Sequence, residues 1–263
     1  MESLPDSVDV AAVERAHCAY LAWRGRLIGA EPRTLPGRGV AVLSTTYPDH
    51  WYANRIICAE PGDARFAASI ADGVRASGGG VRVEIAEPWL DDAAADALVA
   101  AGLAPAWDAR IVGARIPADV GEASGPASVG RVGRDSGQRF WDAYEAAFGE
   151  QQPERAAHGR ALAGSRATIW AYTAEQAEVT IGVALMFVHE RTAVLADAAT
   201  LPEWRRRGVH RQLVAARLAD AREAGARVVT SDVEPGGGSH RNLVRLGLEH
   251  DYRRSVWTAP DGR

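Results

Sequence analysis

The chain has 263 residues, 47% hydrophobic and 24% charged, with a formal net charge of -4. That balance fits a water-soluble globular protein, and the longest apolar run, 181–188, is far short of the roughly 18 residues a membrane span needs. A net negative charge gives no electrostatic reason to bind nucleic acid. The first residues lack a basic segment followed by an apolar one, so a cytoplasmic setting is expected. Cys18 and Cys58 have no metal-ligand spacing and read as small buried hydrophobes, so no disulfide framework and no metal site are expected. All 30 basic residues are arginine, which with the abundant Ala and Gly reflects a coding bias toward high GC.

In chain order, Val10, Val13, Ala16, Tyr20 and Trp23 recur at helical spacing and predict a helix within 7–29. Strands follow at Val40–Thr45 and Asn54–Ala59, separated by an aromatic turn, 47–52. A helix over 63–76, a strand over 81–86, a helix over 91–101 and a strand over 107–116 complete the first half. The stretch 117–130 is rich in Pro, Gly, Ala and Ser and reads as a linker, which divides the chain into domains 1–118 and 127–263. The second half opens with a strand over 128–132, helices over 138–148 and 153–163, and strands over 167–172, 179–189 and 194–199.

Next comes Leu201-Pro202-Glu203-Trp204-Arg205-Arg206-Arg207-Gly208-Val209-His210. A loop that ends a strand, carries Gly at its centre and opens a helix turns unpaired backbone amides toward one point, where the helix dipole favours an anion. Along the following helix, Val209, Leu213, Val214, Leu218 and Ala221 form an apolar stripe, with Arg211, Arg217, Asp220 and Arg222 expected outside and His210 on the helix surface. A strand over 226–231, a helix opened by Ser239-His240-Arg241-Asn242, a Leu246-Gly247-Leu248 turn and a strand over 252–258 close the chain.

Arg205-x-x-Gly208-x-His210, with the helix, strand, helix and Gly-Leu that follow, resembles the pyrophosphate loop of the GNAT superfamily of N-acetyltransferases, usually Gln/Arg-x-x-Gly-x-Gly/Ala. The order strand, helix, strand ending in Glu-Pro, helix, Gly-Leu, strand occurs twice, about 145 residues apart. The implied fold class is α+β: two tandem GNAT-like domains, each a mixed, mostly antiparallel central sheet flanked by helices. The first half has Pro61-Gly62-Asp63-Ala64 where the arginine-glycine loop would be, and an acid there competes with a phosphate for the same amides, so that half is expected to be degenerate.

The resemblance implies acetyl-CoA as acyl donor and direct attack on its thioester by the primary amine of a small molecule. Other readings are transfer of a longer acyl group or to a protein or peptide amine, and a non-catalytic acyl-CoA-binding or regulatory protein. By position the coenzyme contacts are Ala199, Thr200, Leu201, Arg205, Arg206, Arg207, Gly208, Val209, His210 and Asn242. For the base, Asp197 stands out as a carboxylate within an apolar strand, ahead of Asp232 and Glu234. The tyrosine that many members place four residues before the Gly of this turn is here Leu243, so Ser239, Asn242 and Tyr252 are the candidates to meet the departing thiolate; Ser239 and Asn242 are also natural helix caps. The oligomeric state is left open.

Overall fold

The structure is a computed structural model and describes residues 8–35, 39–44, 46–47, 54–58, 60, 64–76, 80–117, 121, 123–133, 137–149 and 168–260. The expected 153–163 helix, the 61–63 turn and most of the aromatic turn lie outside these. The chain packs as two compact units. One comprises Met1–Val112, Asp232–Arg245 and Glu249–Arg263; the other comprises Gly113–Ser231 and Leu246–Leu248.

The second unit is built on strands β6 (Ser128–Arg131), β7 (Ile169–Gln176), β8 (Val179–His189), β9 (Thr192–Thr200) and β10 (Val228–Val233). Their order is β10-β9-β8-β7-β6, antiparallel throughout except for the parallel β9–β10 pair. Near-continuous apolar residues bury β8 from Ile181 to Val188, as expected for a strand covered on both faces. Helix α4 (Gly137–Phe148) lays Phe140, Trp141 and Tyr144 into the core, and α5 (Val209–Glu223) packs across β6 to β9.

In the first unit, α1 (Val10–Leu27) covers β2 (Val40–Val42) and β3 (Arg55–Cys58). The sheet order is β1 (Arg33–Thr34), β2, β3, β4 (Arg82–Ala86), β11 (His250–Thr258) and β5 (Ala104–Arg115). Here β3 and β4 form the parallel step, with α2 (Ala64–Ala76) between them in sequence. Helix α3 (Asp92–Ala100) is opened by Asp91, whose carboxylate accepts from the Ala94 amide. The apolar core joins Ile56, Ile70, Val83, Ile85, Leu98 and Trp257, and both cysteines are free and buried within this unit.

The division of the chain differs from a cut at the linker. Arg254, Ser255, Val256 and Trp257 of β11 pair antiparallel with Ala86 to Val83 of β4, so the last strand and helix α6 (Gly238–Arg245) join the first unit. The linker is also partly fastened. The Gln212 side chain accepts from the Ala127 amide and donates to its carbonyl, and Arg211 donates to the carbonyl and hydroxyl of Ser124.

Beneath β11 lies a buried ionic network. Arg254, fully buried, donates to both carboxylate oxygens of Glu14, to Glu84 and to Asp232; Arg55 grips Glu84 with two nitrogens and also reaches Asp232. Burial alone would raise Glu84, but Arg55, Arg82 and Arg254 outweigh it and hold the carboxyl at about 2. For Glu14, burial prevails over Arg254 and the pKa is raised. Asn54 and Arg55 therefore serve packing: the Asn54 side chain accepts from the Ser44 amide, and Arg55 is locked in the network.

Candidate active site

The residues of the arginine-glycine loop meet in the second unit, on the end of β9 and the start of α5. Leu185 opposes Ala196 but Val183 opposes Ala199, so β9 sets two residues, 197 and 198, against the single residue 184 and bulges there by one residue. Asp197 sits in this bulge with φ 46°, a left-handed conformation that Asp tolerates better than most residues. The pairing of β9 with β10 runs only from Thr192↔Val228 to Val194↔Thr230, although β9 continues to Thr200. Past Val194 the ladder with β10 does not continue, and the Ser231 hydroxyl reaches across, donating to the Leu195 carbonyl at 2.8 Å. The hydroxyl of Thr200 is buried and, among the described residues, has no hydrogen-bond partner.

The loop then folds back by short-range bonds. A 3-10 turn, Pro202–Trp204, closes with the Trp204 amide on the Leu201 carbonyl, and Arg205 Nε donates to the Thr200 carbonyl at 3.2 Å. The Arg207 guanidinium lies over the Trp204 ring, 4.9 Å from its centroid. Arg205, Arg206 and Arg207 are all exposed. Gly208 is the N-cap of α5, with φ 90° and no side chain to occupy the first amides. A helix so capped leaves the N–H groups of its first turn pointing outward, next to three cations, which suits a pyrophosphate. The glycine is needed chiefly for its left-handed backbone: a Cβ there would stand 3.5 Å from the Ser124 carbonyl, in ordinary contact. Close approach matters more at Gly182, where a Cβ would meet Val209 at 2.9 Å and force α5 away from the sheet.

Two residues of α5 depart from the sequence reading. Arg217, expected outside, is 1% exposed; its Nε donates to the Leu213 carbonyl at 3.0 Å, and its Nη1 to the carbonyls of Leu185 at 3.0 Å and Ala196 at 3.4 Å. Burial lowers its pKa to about 10, opposed by Tyr172 and Asp197, so it is a cation at neutral pH. His210, expected on the surface, is half-buried, and its Nδ1 is enclosed with no partner among the described residues. Burial, then the Arg217 charge, hold the imidazole down at about 4, which keeps it neutral in most working conditions. Arg217 recurs at helical spacing with Leu213, Val214 and Ala221, so the periodicity carried a signal of its burial that its polarity concealed.

The thiolate candidates fall in the first unit. Ser239 is exposed and inside α6, so it is not the cap; the helix is closed by its own backbone, the Arg241 amide bonding the Gly237 carbonyl, and by His240 Nδ1 accepting from the Gly236 amide. Asn242 accepts from Arg245 at 3.3 Å. Leu243 is buried apolar packing. Tyr252 is unsuited to the role assigned to it: it is buried, its hydroxyl donates to Glu14 at 2.6 Å, and burial followed by the Glu14 charge raises its pKa well above that of a free phenol. Asp232, a second choice for the base, has Oδ2 engaged by both Arg55 and Arg254. No cluster of metal-binding side chains occurs among the described residues, and no described helix is long and apolar enough to cross a membrane.

Residues 137–248 match the Acetyltransferase (GNAT) family. No curated protein matches the sequence. Among solved structures, a GCN5-related N-acetyltransferase from Kribbella flavida is similar with TM-score 0.71 at 18% identity, covering 98% of each chain. A GCN5-related N-acetyltransferase from Sphaerobacter thermophilus reaches 0.61 at 15% identity, covering 99% of this chain and 98% of that one. A functionally unknown conserved protein from Staphylococcus epidermidis reaches 0.59 at 12% identity, covering 88% and 95%. The match spans α4, the bulged β9, the arginine-glycine loop, α5 and the Gly-Leu turn, and residues 137–248 are therefore an acetyltransferase domain of the GNAT family.

Proposed function

We propose that the chain transfers an acetyl group from acetyl-CoA to the primary amine of a small molecule, by direct attack of the amine on the thioester. The observation that carries this reading is the continuous run from the bulge at Asp197 to the open N-terminus of α5, where strand backbone beyond the β10 ladder gives way to the first-turn helix amides flanked by Arg205, Arg206 and Arg207. Ala199, Thr200 and Leu201 would bond the amide-containing arm of the coenzyme, with the orphaned Thr200 hydroxyl as a further contact. The amides of Gly208, Val209 and His210 and the three guanidinium groups would hold its phosphates. The bound coenzyme supplies an activated acyl carbon and a thiolate leaving group.

The chain's own part is proton management and alignment. Asp197 takes the proton that the amine sheds as its nitrogen bonds the acyl carbon, and the carbon–sulfur bond breaks to release the thiolate. A cytoplasmic setting, where both thiols stay reduced, belongs to the same reading. The test is release of free CoA thiol from acetyl-CoA across a panel of polyamines, amino acids, aminoglycosides and peptides. Release that depends on an added amine supports the enzyme, and the responding compound identifies the acceptor.

A second reading, a non-catalytic acyl-CoA-binding protein, is favoured by one pair of observations: Leu243 is buried packing where the proton donor would stand, and Tyr252 is tied to Glu14. Tight coenzyme binding with no turnover on any amine would select it.

A further inference from the structure

Among the described residues of the second unit Arg217 is the most fully buried cation, and the function proposed above leaves it unused. Its three acceptors are distributed in an informative way. Leu185 of β8 and Ala196 of β9 are the pair facing each other immediately before the ladder slips, and Leu213 lies one turn earlier on α5 itself. One rigid guanidinium thus bonds both strands beside the bulge and the helix whose first turn faces the phosphates. Asp197, in the bulge, is close enough for its carboxylate to act on the Arg217 charge. The left-handed backbone at Asp197 has to be held by its surroundings, because an ordinary strand would relax to the extended form. Lysine could not replace these bonds, since a single ammonium cannot reach two strand carbonyls while a separate nitrogen bonds the helix.

We propose that Arg217 is a positioning residue for acyl transfer: it clamps the β9 bulge to α5 and so fixes the Asp197–Thr200 backbone against the helix end that holds the coenzyme phosphates. This rests on the acetyltransferase reading. Arg217 touches neither substrate; it acts through the bulge. Its removal therefore separates two quantities. Phosphate binding depends on the loop and the α5 amides and persists, whereas alignment of the thioester and of the Asp197 carboxylate is lost.

The experiment compares Arg217→Met and Arg217→Lys with the wild type, each well below its own melting temperature. Three readouts are taken: CoA affinity by calorimetry, kcat with the responding amine, and hydrogen exchange of the segment 194–201 in the free protein. The expected result is CoA affinity within about twofold of wild type, kcat at least about tenfold lower for Arg217→Met, and faster exchange confined to that segment, with Arg217→Lys intermediate. Wild-type kcat and wild-type exchange in Arg217→Met, or exchange that rises equally throughout the second unit, would overturn the proposal. Should Arg217→Met fail to fold, Arg217→Lys decides: lowered kcat with unchanged CoA affinity supports it, and wild-type kcat refutes it. A wild type that binds CoA but turns over no amine sinks the acetyltransferase reading, and the segment's exchange alone then decides whether Arg217 holds the bulge.

Discussion

At the scale of single residues, the site combines a strained carboxylate and a neutral buried imidazole. Asp197→Asn is an informative variant because Asn also accepts a left-handed backbone, so the bulge survives and only proton acceptance is lost. Turnover should fall roughly 10² to 10⁴-fold with acetyl-CoA affinity nearly unchanged; wild-type turnover at every pH would remove Asp197 as base. His210 makes a prediction about acid stability. An unfolded histidine protonates near 6.5, but His210 stays neutral until about 4, so between those values the unfolded chain binds the extra proton and stability declines as pH falls. The gap amounts to about 3 kcal/mol. Urea midpoints measured from pH 7 down to pH 4 should decline in the wild type and less steeply in His210→Asn; identical slopes would show that the imidazole is not the group responsible.

At the scale of elements, the loop and helix carry the coenzyme prediction. Gly208→Ala places a Cβ where the space is adequate but the left-handed backbone is not, at a cost of about 1–2 kcal/mol. The α5 N-terminus should re-form with altered amide directions and CoA affinity should fall about tenfold by calorimetry; unchanged affinity would exclude this helix end as the phosphate site. Most elements were legible because their apolar spacing is strong. The runs in β8 and β9 and the apolar residues of the stripe on α5 specify what they became. Strand β1 was missed because two exposed residues, Arg33 and Thr34, carry no period at all. Arg217 and His210 were placed outside because residue polarity was weighed above position, although both share the spacing of Leu213 and Val214. Positive φ at Asp197 and Arg206 has no signature in a one-dimensional string.

At the scale of the whole molecule, the least legible fact was which strand completes which unit. Pairing of β11 with β4 joins residues more than half a chain apart, and no local pattern in either strand names its partner. The ionic network depends on that pairing. Removing Arg254 would leave the fully buried Glu14 without its cation, while Glu84 and Asp232 keep Arg55, so Arg254→Met should destabilise the protein by about 3–5 kcal/mol in denaturant titration. A loss below about 1 kcal/mol would mean the acids simply take up protons in its absence. Residues 1–118 produced alone lack β11 and Arg254, and should show no cooperative thermal transition; a sharp transition would show that the first unit is self-sufficient.

The same placement of β11 bears on how the chain is made. During synthesis the residues of β1 to β4 emerge with one sheet position empty, and the segment that fills it, His250–Thr258, leaves the ribosome only after residues 113–231. The edge of β4 and the acids around Glu14 must therefore wait, exposed, while the acetyltransferase domain is being translated. A ribosome stalled just after Thr258, with β11 still inside the exit tunnel, should display a protease-sensitive N-terminal unit that becomes resistant only once the nascent chain is released.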